Sequence, residues 1–205
     1  MTSPEDFKIL LNGAEQYGGD VAVSQALQFM PLVFLRPHNI RFLRWSYVDL
    51  NAKLITIPAE EMKMNRPHKV PLSNQAVTIL KHMKTITGGD ALVFSTVRGK
   101  GKQMSENTLN TAIRRFKHPK TGEILGKGFM TSHGFRHTAS TLLNEMGFNA
   151  DVIEMQLAHL DKDRIRRTYN KAELIPERES MMQAWADYLE GLKRGANVIP
   201  IKRKA

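Results

Sequence analysis

Two strand-like stretches set among helical patterns constrain this fold more than any other feature of the chain. "KLITIPAEEM" (53–62) alternates and holds β-branched residues, and "HKVPLS" (68–73) follows it closely. Such a pair predicts an antiparallel hairpin, with "AEEMKMNRP" as the connection and Lys63 at its tip. The flanking sequence is helical. Residues 4–35 give two patterns broken by "YGGD", where Asp20 offers an N-cap, and "SNQAVTILKHMKTI" resumes the periodicity behind Ser73. "LRPHNIRFLRWSYVDL" opens as a short helix and runs toward a strand, "GGDALVFST" reads as extended, and a capped helix starts near Ser105. Further helices are expected over 133–146, 149–158, roughly 162–173 and 177–193. No alternating strand–helix rhythm is present. The expected class is therefore α+β, predominantly helical, with a small antiparallel β-sheet.

The longest apolar run, "ALQFMPLVFL", falls short of the ~20 residues needed to span a bilayer and contains a proline. The N-terminus starts acidic and amphipathic, unlike a secretory signal, and the chain has no cysteine. A soluble cytoplasmic protein is expected, with one domain or one domain plus a small appendage in its 205 residues. The net charge of +10 points to a polyanionic partner, of which nucleic acid is the usual one. Basic clusters at 98–102, 114–120, 164–167 and 202–205 spread that charge along the chain, as a broad electrostatic footprint requires.

"TSHGFRHTAS" (131–140) places His133, Arg136 and His137 at helical spacing. His133 and His137 imitate a zinc-protease helix, but Gly134 stands where that motif needs its general-base Glu. "GEILGKG" imitates a phosphate loop, with glycines one residue too close and no Ser or Thr after the Lys. A phosphodiester fits better. Its non-bridging oxygens take paired donors, which guanidinium supplies well. Its cleavage requires a nucleophile and an acid for the leaving oxygen. His133 and Arg136 lie one turn apart and can face one anion at the start of their helix.

Four other elements stand in order around them: "LRP" with Arg36, "MKMNRPHKVPLS" with Lys63, "LAH" with His159, and "YNKA" with Tyr169. The ordered set resembles the catalytic domain of the tyrosine recombinases, in particular the phage and prophage integrase branch. The resemblance runs from Pro4 through "MMQAWADYL". It implies a tyrosine-recombinase catalytic fold over residues 1–205, ending in a basic tail at 195–205, without the family's N-terminal core-binding and arm-binding domains.

The same resemblance implies roles. Tyr169 would attack the scissile phosphate to give a 3′-phosphotyrosyl link, Arg36 and Arg136 would clamp the non-bridging oxygens, and Lys63 would protonate the leaving 5′-oxygen. His133 and His159 would complete the phosphate hydrogen bonding, with His133 also placed to take the tyrosine proton. The family uses no metal, no ATP and no other cofactor. The partners this implies are double-stranded DNA attachment sites, further integrase protomers in a tetrameric synapse, and host DNA-bending or excision factors, with no membrane, and the implied location is the bacterial cytoplasm, in association with the nucleoid.

Some alternatives stay open on the sequence. Lys69 competes with Lys63, His159 also reads as a core histidine, and Tyr169 as an ordinary helix tyrosine. The Met and Trp stripe of "MMQAWADYL" reads as packing first and as an oligomer interface second. Asn39 stands where the family usually has an acidic residue, which bears on local positioning. A catalytically silent DNA-binding remnant and a type IB-like topoisomerase are the rival functions.

Overall fold

The computed structural model describes residues 3–62, 65–96, 101–126, 128–159 and 173–195. Among these, helix α1 (Pro4–Glu15) leads into α2 (Val21–Val33), which carries the core. Nine of the 13 residues of α2 are buried, so it is enclosed on nearly every side. It packs against α1 and five later helices. Asp20 caps it as expected, its carboxylate accepting from the Ala22 N–H at 2.9 Å.

The other end of α2 has a less common solution. Pro31 lies in its last turn, and Phe34 ends it in the left-handed region at φ 58°. The last carbonyls of a helix have no partner within it. Here side chains from far along the chain supply several. Trp185 Nε1 donates to the Pro31 carbonyl at 2.7 Å, Gln156 Nε2 to that of Val33 at 3.1 Å, and Arg136 Nη1 to that of Phe34. The chain then turns directly into the short α3 (Pro37–Arg41), with Arg36 as its N-cap residue.

The expected hairpin is present. Strands β1 (Val48–Asp49), β2 (Leu54–Ile57) and β3 (His68–Pro71) form an antiparallel sheet in the order β1-β2-β3. Ile55 pairs with Val70 and Ile57 with His68, which puts His68 on the buried face beside isoleucine and valine. The connection from β2 to β3 holds a 3-10 turn, Ala59–Glu61. Lys63, read at its tip, lies outside the described residues.

Ser73 caps α4 (Asn74–Thr87) by accepting from the Ala76 N–H at 3.3 Å. "GGDALVFST" forms no strand and contributes only an isolated bridge between Leu92 and Arg44. Helix α5 (Thr108–Ile113) starts three residues after Ser105, with Asn107 at its N-cap position and the Ser105 hydroxyl 2.8 Å from that of Thr108. Helices α6 (Gly134–Glu145), α7 (Ala150–Gln156) and α8 (Ile175–Lys193) follow. The helix expected near 162–173 falls almost wholly on residues 160–172, outside the described ones, as does the tail after Gly195.

Met181, Met182, Trp185 and Leu189 of α8 are buried in the chain's own core, and Trp185 stacks on Tyr188 with centroids 5.6 Å apart. The "MMQAWADYL" stripe is therefore internal packing. No helix among the described residues is long and apolar enough to cross a membrane.

Candidate active site

The end of α2, the start of α6 and the end of α7 converge on one arginine. Arg136 is the third residue of α6 and is 5% exposed. Its Nη1 donates to the Phe34 carbonyl and its Nη2 to the Leu157 carbonyl at 2.6 Å. These bonds aim the guanidinium without neutralising it. Burial, and then the charge of Arg36, lower its pKa to about 10, so it is still a cation at neutral pH. Arg36 itself is half-buried. Among the described residues no carboxylate forms an ion pair with either guanidinium. Glu154 offsets the Arg136 charge only from a distance, its direct partner being His159, so two adjacent like charges make a site for an anion. The α6 N-terminus adds its partial positive charge at the same place.

Two histidines complete the group. His133 occupies the N-cap position of α6 and is exposed. Desolvation lowers its pKa, and Arg136, Arg36, His159 and His137 lower it further, which favours the neutral ring. His159 follows Ala158, whose left-handed φ of 49° closes α7 and turns the chain back over Glu154. Its Nδ1 pairs with Glu154 Oε2 at 2.8 Å, while its Nε2 lies 3.5 Å from Arg136 Nη2. A proton on Nδ1, donated to the carboxylate, leaves the Nε2 lone pair facing the guanidinium. His159 is exposed, so the reading as a core histidine is set aside. His137 is exposed on α6.

Of the six residues implied by the motifs, Arg36, His133, Arg136 and His159 thus come together. Lys63 and Tyr169 lie outside the described residues. Lys69, the competitor of Lys63, sits on β3 and is engaged with Glu173 at 2.7 Å. Asn39 is buried, with its amide 3.4 Å from the Glu61 carbonyl and 3.8 Å from Met62 Sδ, so it holds the hairpin connection just before position 63.

Sequence reasoning missed a polar layer beneath the arginines. His68 is 7% exposed on β3. Burial pushes its pKa down to about 3, helped by Arg178, Arg136 and Arg36, and its hydrogen bond to the Gln156 backbone opposes the shift. Gln156 and Arg178 are buried as well. Their only signal in the sequence is a polar residue on an otherwise apolar helix face.

The model of the phage integrase family matches residues 2–174. The prophage integrase IntA of Escherichia coli K12 is 42% identical over 168 residues, which are 82% of this chain and 39% of IntA. The chain therefore spans about two fifths of the length of that curated relative. The fold resembles the integrase of mycobacterium phage Brujita, with a TM-score of 0.61 and 16% identity over 89% of this chain and 56% of that one. It also resembles the integrase of transposon Tn1549 solved with a circular intermediate DNA, with a TM-score of 0.58 and 15% identity over 74% of this chain and 55% of that one.

Proposed function

Because the chain belongs to the phage integrase family, the tyrosine recombinases its motifs resemble, we propose that it cuts and rejoins DNA at a specific site through Tyr169. The Tyr169 oxygen attacks the scissile phosphorus and the bond to the 5′-oxygen breaks. A 3′-phosphotyrosyl link stores the bond energy for rejoining. Lys63 gives its proton to the leaving 5′-oxygen, and neutral His133 accepts the proton of the phenol. Arg36 and Arg136 hold the non-bridging oxygens as charge grows on them in the transition state. Rejoining reverses each transfer, so atoms and protons balance without an added energy source.

The observation that carries this reading is the pair Arg36 and Arg136, two neighbouring cations with no direct ion pair to a carboxylate among the described residues. A fold held for stability alone would pair or remove such charges. The net charge of +10 and the DNA in the Tn1549 integrase structure support duplex DNA as the substrate. For the whole protein the reading is integration or excision of a phage or other mobile element, by protomers that assemble on attachment sites with host DNA-bending or excision factors.

The test is covalent trapping. The 205-residue chain is incubated with nicked suicide duplexes of randomised core sequence, and a protein–DNA adduct that survives denaturant is expected. DNA binding without an adduct would make the chain a silent remnant. Relaxation of supercoiled plasmid without site preference would make it a topoisomerase.

A further inference from the structure

We infer that Gln156 and Arg178 are positioning residues for Arg136, holding its two backbone acceptors in place from beneath the site. The inference rests on the reading of Arg136 as a phosphate-gripping residue.

The bonds interlock one residue apart. Gln156 Nε2 donates to the Val33 carbonyl at 3.1 Å, while Arg136 takes the carbonyls of the next residues along, Phe34 and Leu157. Fixing Gln156 against Val33 therefore fixes the spacing of the two oxygens that orient the guanidinium. An amide side chain can sit either way round, and its partner decides which. Arg178 has only donors. Its Nε and Nη2 lie 2.9 and 2.8 Å from Gln156 Oε1, which forces the amide nitrogen toward Val33. Arg178 also donates to the backbone carbonyls of Lys69 and of Glu173, the latter at 3.3 Å. On the other side the Gln156 backbone takes the His68 hydrogen bond.

Arg178 is 2% exposed, with no ion pair among the described residues. A buried cation of this kind is costly, and an apolar side chain would pack at that place more cheaply. What the guanidinium adds is direction. It links α8, α7, β3 and residue 173 in a single fork of donors, and through Gln156 it reaches the backbone that orients Arg136.

Two variants of the full chain test this, Gln156→Met and Arg178→Lys, the second keeping the charge should the first fail to fold. Single-turnover cleavage is followed on a suicide duplex with an ordinary scissile phosphodiester. A second duplex carries a neutral methylphosphonate there, on which a guanidinium has less charge to stabilise. Cleavage of the phosphodiester is expected to fall about 10- to 100-fold, as for a misaligned catalytic group. DNA affinity should stay near that of the wild type, and the deficit should narrow on the methylphosphonate. Equal losses on both duplexes, or unchanged rates, overturn the inference. Side-chain NMR of Arg136 gives a readout independent of turnover. The variants should speed hydrogen exchange of its guanidinium protons, and unchanged exchange counts against the inference. If the wild type cleaves neither duplex, the proposed function fails, and the NMR comparison still decides the positioning role.

Discussion

Arg136 donates from Nη2 to the carbonyl oxygen of Leu157 at 2.6 Å, where α7 ends, and from Nη1 to the carbonyl of Phe34, two residues before Arg36. One side chain thereby joins the start of α6 to the ends of α2 and α7. The backbone that orients it is the backbone that delivers Arg36 and His159. The site is assembled from helix termini, where carbonyls are free to be taken and where each exit can place a functional side chain.

His133 should remain a competent base below the ordinary histidine range. Its pKa is lowered by desolvation and then by Arg136 and Arg36, so acid must go further to protonate it. The kcat/KM profile of cleavage, which reports the free protein, should stay flat through that range on the acid side and fall only below it. A break at or above the ordinary histidine value would contradict the neutral role.

His68 should make the fold acid-sensitive. Its folded pKa is about 3 against an ordinary 6.5, so the unfolded chain binds a proton there that the native chain does not. Stability is then full above 6.5 and is lost as pH falls from 6.5 toward 3. The slope is about 1.4 kcal/mol per pH unit at most. Urea unfolding at several pH values should give His68→Gln a shallower acid slope than the wild type. Parallel slopes would show that His68 does not carry the effect.

Trp185→Phe should cost stability beyond its volume change. The substitution leaves the Pro31 carbonyl without the indole donor now 2.7 Å away, inside the core. A loss of about 1–3 kcal/mol is expected from urea unfolding. A change within about 0.5 kcal/mol, typical of surface positions, would mean the carbonyl finds another partner.

What the sequence reveals is what local chemistry writes into it. Asp20 and Ser73 cap their helices because the cap signal is short-range, and the hairpin follows from alternation over a few residues. The gathering of Arg36, His133, Arg136 and His159 was legible through ordered motifs, since each is flanked by recognisable neighbours. The layer beneath was not. Gln156 and Arg178 are 22 positions apart and Arg178 and Lys69 are 109 apart, and the one local sign, an arginine in line with the apolar face of its helix, names neither partner. His68 likewise looks like a strand end, and only the pairing with Ile57 turns it inward. "GGDALVFST" reads as extended yet joins no sheet, because apolar residues there can be buried beside a single isolated bridge, as Val93 and Phe94 are next to Leu92.

The central claim is that Tyr169 carries the broken strand. Peptide mapping of the denatured adduct by mass spectrometry tests it most directly. The account predicts a nucleotide-modified peptide containing Tyr169, and no adduct from Tyr169→Phe despite unchanged DNA binding. A modified peptide elsewhere in the chain, or an adduct that persists in Tyr169→Phe, would contradict it.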